Sequence, residues 1–235
     1  MISRVAVVPH PPLLVPELTS GAAAETEPLR AACLAVAGEL AASATRWVAV
    51  AADAGGPAHH TAEATGSFRG FGVDVRVSLS GGTGGDPRPL PLPVLIAGWL
   101  RERAGADTVE VALVPPGLPA DECAAAGRAL AASASGPVGL LVLGDGSSRH
   151  GENAVGRPDD RAAAYDAAVH AALAAADPEA LLRLDADLGA ELGAAGRAAW
   201  QVLAGAVGDT PWRCDLAEFL APFGVGYHLA LWSRP

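Results

Sequence analysis

The chain has 235 residues, a formal net charge of −10 and an apolar fraction of 51%. This length fits one large α/β domain, and the apolar fraction is sufficient to form a buried core. The acidic balance argues against nucleic-acid-binding proteins, because contact with a phosphate backbone needs a basic surface. We therefore expect no nucleic-acid partner.

The cysteines and the N-terminal segment favour a reducing cellular compartment. Cys33, Cys123 and Cys214 are widely spaced and form no CxxC pair, which favours a reducing compartment over a disulfide framework or a thiolate zinc site. The apolar segment 1–8 is too short for a signal peptide, and no stretch reaches the roughly 18 apolar residues of a membrane span. We expect a cytoplasmic protein without a membrane partner, and a homodimer remains possible.

Short apolar runs alternate with Ala- and Leu-rich segments along the chain. The apolar runs have the length of strands, and the Ala-rich segments have the composition of helices. In chain order the patterns predict strand Val5–Val8, helix Ala22–Ala42, strands Trp47–Ala52 and Val73–Leu79, a loop over Gly81–Pro93, helix Val94–Arg103, strand Val109–Val114, helix Asp121–Ala132, strand Gly139–Leu143, helices Asp159–Ala176, Pro178–Leu184 and Gly189–Ala206, and strand Gly226–Trp232.

This alternation predicts one α/β domain over residues 1–235. Its central sheet is expected to be mostly parallel and flanked by helices on both faces, because strands that are apolar throughout need cover on both sides. Asp177 is expected to cap the helix that begins at Pro178, since proline suits the first helical position.

Polar residues follow three of the predicted strands. Open α/β sheets bind ligands beyond the carboxyl ends of their strands, so these residues are site candidates. They are His10 in a proline-rich turn, the group Asp53, His59 and His60, and the segment 144–150, GDGSSRH. The prolines around His10 stiffen its backbone and fix the direction of its imidazole.

Two histidines outside these segments are assigned structural positions. His228 alternates with apolar neighbours in the last predicted strand, so we expect it to face a helix. His170 lies in an Ala-rich helix and is expected at the surface.

Three stretches resemble the class III extradiol dioxygenase superfamily, in its LigB-like, subunit-B group. They are VVPHPPLLVPEL near the N-terminus, LVLGDGSSRHGENAVGRPDDRAAAYDAAV in the second half and APFGVGYHLALW near the C-terminus, in the family's order. In active members, two histidines and a carboxylate hold a non-haem Fe(II). Three facial ligands leave positions open for a catecholate and for O2. The resemblance thus implies the LigB-like fold and a small aromatic, catechol-type substrate.

The metal ligands that the resemblance implies are spread along the chain. They are His10, a second ligand from His59, His60 or Asp53, and a late carboxylate from Glu218 or Asp215. Fe(II) is the implied metal, and Zn is possible because zinc accepts the same ligand types.

The resemblance also implies an acid–base histidine after the Gly-Asp-x-Ser turn. Ser148 occupies the expected position, and His150 follows two residues later, so His150 is the catalytic candidate. A histidine titrates near neutral pH and can move the catechol proton. The serine leaves two alternatives to ring cleavage. One is an altered or inactive relative that binds a ligand or protein, as MEMO-like members are thought to do, and the other is a zinc-dependent hydrolase.

Overall fold

The computed structural model describes residues 1–19, 23–82 and 85–235. Ala22 of the first predicted helix, and Thr83 and Gly84 of the predicted loop, lie outside these ranges. In chain order the elements are β1 Ile2–Val8, α1 Ala23–Ser43, β2 Arg46–Ala52, β3 Ala58–His60, β4 Thr65–Ser67, β5 Arg76–Ser78, α2 Leu92–Ala104, β6 Thr108–Val114, α3 Ala120–Ser133, β7 Val138–Leu143, α4 Arg161–Ala174, α5 Pro178–Leu182, α6 Ala186–Glu191, α7 Arg197–Val207, β8 Arg213–Leu220 and β9 Tyr227–Ser233.

Seven of the described strands form one sheet, in the order β3-β6-β2-β7-β1-β9-β8. The central strands β6, β2, β7 and β1 are parallel to one another. At the sides of the sheet, β3 pairs antiparallel with β6, β9 with β1, and β8 with β9. The predicted α/β class with a mostly parallel central sheet is confirmed.

The side chains of the central strands pack into two apolar clusters. Ala6 and Val8 of β1 belong to one cluster, together with residues of α1 and α2. Val5 and Val7 belong to the other, together with residues of α3, α4 and α7. Because successive strand residues point to opposite faces, the two clusters lie on opposite faces of the sheet. Burial on both faces explains why these strands are apolar throughout.

The sequence patterns did not predict β3 and β8, which lie at the two edges of the sheet. β8 was not predicted, because exposed and partly buried residues are mixed along it. β3 lies between two predicted strands, where no element was predicted, and becomes a strand by pairing with β6. The predicted strand Val73–Leu79 is reduced to the three residues of β5, and the predicted helix Gly189–Ala206 is divided into the end of α6 and α7.

The predicted start of the helix at Pro178 is confirmed. The Asp177 side chain accepts a hydrogen bond from the backbone N–H of Ala180 at 2.9 Å, which caps α5 with Pro178 at its start. Across the described parts of the chain, no helix combines the length and the apolar character needed to cross a bilayer.

Helices α3 and α7 touch through their backbones. A Cβ atom added at Gly205 of α7 would lie 2.1 Å from the carbonyl oxygen of Ala124, and one at Gly127 of α3 would lie 2.1 Å from that of Val202. Real Cβ atoms do not approach other atoms so closely. Glycine at both positions therefore permits the packing of these two helices over the second cluster.

Replacing Gly205 with alanine should lower the free energy of unfolding by about 1–3 kcal/mol, because α3 must move away from the new methyl group. Gly38→Ala in α1 is the matched control, since no atom lies within 4 Å of its added Cβ. Alanine there should leave stability unchanged or raise it by up to about 1 kcal/mol. Urea denaturation measures both effects, and a G205A protein as stable as wild type would contradict the close helix contact.

Candidate functional site

The carboxyl ends of β1 and β7 lie side by side, with Val8 paired to Leu143. Two residues beyond these ends stand His10 and Asp145. The backbone N–H of His10 donates to Asp145 Oδ1 at 2.8 Å, and His10 Nδ1 lies 3.7 Å from the same oxygen. The structure thus brings together the first and third of the polar segments that the sequence places after strands.

The His10 ring is buried beside the carboxylate of Asp145, and its Nδ1 has no hydrogen-bond partner. The Cys33 thiol of α1 has a raised pKa, first because it is buried and then because of the negative charges of Asp145 and Glu218. The carboxylates of Asp145 and Glu218 therefore both lie within electrostatic reach of Cys33.

The segment after β7 is fixed against the chain that leads into β9. The backbone N–H of Gly146 donates to the Gly226 carbonyl at 2.6 Å, and that of Gly226 donates to the Ser147 carbonyl at 2.8 Å. The backbone N–H of His150 donates to the Gly224 carbonyl at 3.1 Å. These bonds hold the loop that carries His150.

Asp166 of α4 is the centre of a buried polar cluster. Its side chain has no exposed area. It accepts hydrogen bonds from the Ser147 backbone N–H at 3.0 and 3.2 Å, and it contacts His150 Nε2 at 2.6 Å and His228 Nε2 at 2.9 Å. Both carboxylate oxygens are therefore engaged, as a carboxylate removed from water requires.

Two glycines leave the space that this carboxylate occupies. A Cβ at Gly146 would lie 2.5 Å from Asp166 Oδ1, and one at Gly226 would lie 2.3 Å from Oδ2. Any other residue at either position would displace the carboxylate. The turn after β7 and the start of β9 are thus shaped around Asp166.

Aromatic rings surround the two histidines that contact Asp166. The Phe219 ring of β8 lies 5.9 Å from the His150 ring and 4.9 Å from the His228 ring, measured between centroids. The His170 ring stacks on His228 at 6.4 Å. The side chain of His150 is 16% exposed, whereas that of His228 has no exposed area. Of the two histidines, His150 is the one that reaches solvent.

The contacts with Asp166 assign the proton on each imidazole. An ionised carboxylate only accepts hydrogen bonds, so Nε2 must be the donor in both His150 and His228. In the neutral ring the other nitrogen, Nδ1, then carries a lone pair. For His150, this lone pair is available to accept a proton from a ligand.

His59 and His60, two predicted metal ligands, lie on β3 far from His10. Four strand spacings separate β3 from β1, which is roughly 19 Å at the usual distance between strands. His59 Nε2 contacts Glu110 at 3.4 Å. The pKa of His60 is lowered, first by burial and then by His59, while Asp53 opposes the shift. The structure does not bring either histidine to His10.

The predicted carboxylate ligands have other positions or partners. Asp53 accepts the backbone N–H two residues ahead at 2.8 Å, which forms a turn after β2. Asp215 pairs with Arg4 at 3.2 Å and with Arg213 at 2.8 Å, and Glu218 is exposed on β8. Among the described residues, no group of three or more His, Cys, Asp or Glu is arranged to hold a metal ion. The predicted ligand set thus does not fit an iron or zinc centre in this arrangement.

Sequence reasoning assigned no site role to Asp166 or His228. A pattern that could have found Asp166 is present in α4, where Ala162, Asp166, Val169 and Leu173 are all buried. Their spacing of three or four residues is that of an apolar helix stripe. An acidic residue within such a stripe indicates a buried partner, although it does not identify the partner.

Comparisons with known proteins give information on the fold alone. A scan of protein-family models and a search of curated proteins both find no match. Among solved structures, the chain is similar to the crystal structure of an uncharacterized protein from Escherichia coli K12, with a TM-score of 0.54 and 13% sequence identity. The similarity covers 97% of this chain and 99% of that one. At this identity it shows a shared fold alone.

Replacing Asp166 with asparagine should lower the free energy of unfolding by about 2–4 kcal/mol. The asparagine amide would place its own N–H groups against donors that now bind a carboxylate oxygen. Asp160→Asn, at an exposed residue next to α4, is the matched control. It should change stability by less than about 0.5 kcal/mol. Urea denaturation at neutral pH compares the two variants, and equal effects would speak against a buried, hydrogen-bonded Asp166.

Proposed function

We propose that the chain is a catalytically altered relative of the class III extradiol dioxygenases that binds a small, catechol-type phenol and takes up its proton on His150. The observation that carries this proposal is the contact of 2.6 Å between His150 Nε2 and Asp166 Oδ2. A carboxylate that holds one ring nitrogen orients the imidazole and leaves the other nitrogen free to act as a base. The resemblance of three chain segments to the dioxygenases supplies the ligand class.

The surroundings of His150 suit a planar aromatic ligand. Phe219 lies beside it with its ring inclined by 54°, and aromatic ligands pack favourably against such rings. A cavity of about 590 Å³ opens beside the preceding residue, Arg149, and three basic and three acidic residues line it: Arg149, Arg157, Arg161, Asp159, Asp160 and Glu191. Its volume is in the range of small-molecule sites, and its lining carries both signs of charge, since Arg161 pairs with Asp159 and with Glu191.

The proton transfer follows from the tautomer assigned to His150. In the proposed step, the phenol O–H bond breaks, its proton binds His150 Nδ1, and the ligand becomes a phenolate. The imidazolium that forms is stabilised by Asp166, because its Nε2–H already points to the carboxylate at 2.6 Å. No side chain has to move for this charge to be compensated.

Iron-dependent ring cleavage is the second candidate. A bound iron would hold the catecholate and O2 side by side and pass electrons from the substrate to O2, but the predicted ligands do not converge, so we assign no step to it. One observation favours this candidate. His10 Nδ1 is buried without a hydrogen-bond partner and lies 3.7 Å from Asp145 Oδ1.

Binding of 4-nitrocatechol, whose visible absorption changes when it loses a proton, tests the first candidate. We expect the wild-type protein to bind the dye and to shift it toward the anion relative to free dye at the same pH. His150→Gln should remove this shift and weaken binding about tenfold, which corresponds to roughly 1.4 kcal/mol. His59→Gln, on the distant and exposed β3, is the matched control and should behave as wild type. A shift that persists in H150Q would refute the assignment of His150.

Iron analysis and O2 uptake distinguish the two candidates. After anaerobic incubation with Fe(II) and desalting, we expect well below one iron per chain and no catechol-dependent O2 uptake, because the implied ligands are dispersed. The opposite result, stoichiometric iron that is lost in His10→Ala together with catechol-dependent O2 uptake, would establish ring cleavage instead.

A further inference from the structure

We infer that His228 is a positioning residue for His150 and acts through Asp166. The inference rests on the proposed function, since it explains how His150 is kept in the form that can accept a proton. His228 Nε2 donates to Asp166 Oδ1 at 2.9 Å, and His150 Nε2 contacts Oδ2 at 2.6 Å. One carboxylate therefore binds two histidines through different oxygens.

Contacts with Asp166 from two directions determine where its oxygens point. The terminal torsion of an aspartate side chain is soft, so a carboxylate without such contacts samples a broad range of orientations. The Ser147 backbone N–H contacts both oxygens at 3.0 and 3.2 Å and does not select one orientation strongly. Because His228 holds Oδ1, Oδ2 is left directed at His150.

The burial of His228 suits it to donate one fixed hydrogen bond. Its ring is in contact with Phe219, with His170 and, edge-on at 5.4 Å, with Trp200. Its Nδ1 is buried and has no hydrogen-bond partner. A proton on Nδ1 would be an unpaired donor among these rings, which is costly. The geometry therefore favours the tautomer of His228 with its proton on Nε2.

The arrangement divides two roles between the histidines. His150 is partly exposed and can exchange a proton with a ligand. His228 lies in the fully buried part of the cluster, where its Nε2–H holds the carboxylate. His228 would therefore act on the reaction without touching the ligand.

Nuclear magnetic resonance of the full chain, with ¹⁵N-labelled histidine, tests the inference directly. Protonated and bare ring nitrogens have very different ¹⁵N chemical shifts, so the spectrum reports the tautomer of each imidazole. In wild-type protein at neutral pH we expect His150 and His228 each as a single Nε2–H tautomer. A proton on Nδ1 of His228 would overturn the inference without any variant.

Two substitutions separate positioning from packing. His228→Gln keeps an N–H donor near the place of Nε2, so His150 should remain the Nε2–H tautomer. His228→Leu removes the donor, and His150 should become a mixture of both tautomers, a loss of preference of at least several-fold. His60→Gln, on β3, is the remote control and should leave the His150 signals unchanged.

The outcomes decide the inference even if one variant fails to fold. A folded H228L protein in which His150 keeps a single Nε2–H tautomer would overturn it, as would an H228Q protein with mixed tautomers at His150. If H228L does not fold, the wild-type and H228Q spectra still decide. The spectra need no ligand, so failure to bind 4-nitrocatechol would count against the proposed function alone.

Discussion

The arrangement of this site depends on one carboxylate that has no contact with water. Asp166 needs hydrogen-bond donors on several sides, because an unpaired buried charge costs several kcal/mol, about 3–5 where one partner of a pair is lost. Its donors come from the turn after β7, at Ser147 and His150, and from β9, at His228. The helix α4, the turn and the last strand are therefore joined at a single point. Gly146 and Gly226 are required at that point, since a Cβ at either would overlap the carboxylate.

The same carboxylate connects the fold with the proposed chemistry. The partly exposed His150 and the fully buried His228 bind its two oxygens, so one charge both fixes the end of the sheet and orients a proton acceptor at the protein surface. The resemblance to ring-cleaving dioxygenases implies a metal as well. The residues that would hold it are distributed between the turn after β1, the turn after β2, strand β3 and strand β8. The proposal accordingly relies on His150 and Asp166.

The parallel strands and the approach of His10 to Asp145 could be predicted from the sequence. Continuous apolar runs indicate strands covered on both faces, and the carboxyl ends of neighbouring parallel strands meet at one edge. The position of His59 and His60 could not be predicted, because it depends on the pairing of the three-residue β3 with β6, a long-range contact without a local pattern. For Asp166, the helical stripe indicates burial, but its partners lie 16 and 62 residues away along the chain. Only the folded structure shows that they meet.

A crystal structure, determined from crystals grown in the presence of Fe(II), measures the contacts of Asp166 with His150 and His228 most directly. The account predicts that His150 Nε2 and His228 Nε2 each lie within about 3.2 Å of one Asp166 oxygen, the usual limit for such a hydrogen bond, with no ion between them. A metal ion bound by His10 together with Asp53 or Glu218, or an Asp166 carboxylate turned away from His150, would contradict it.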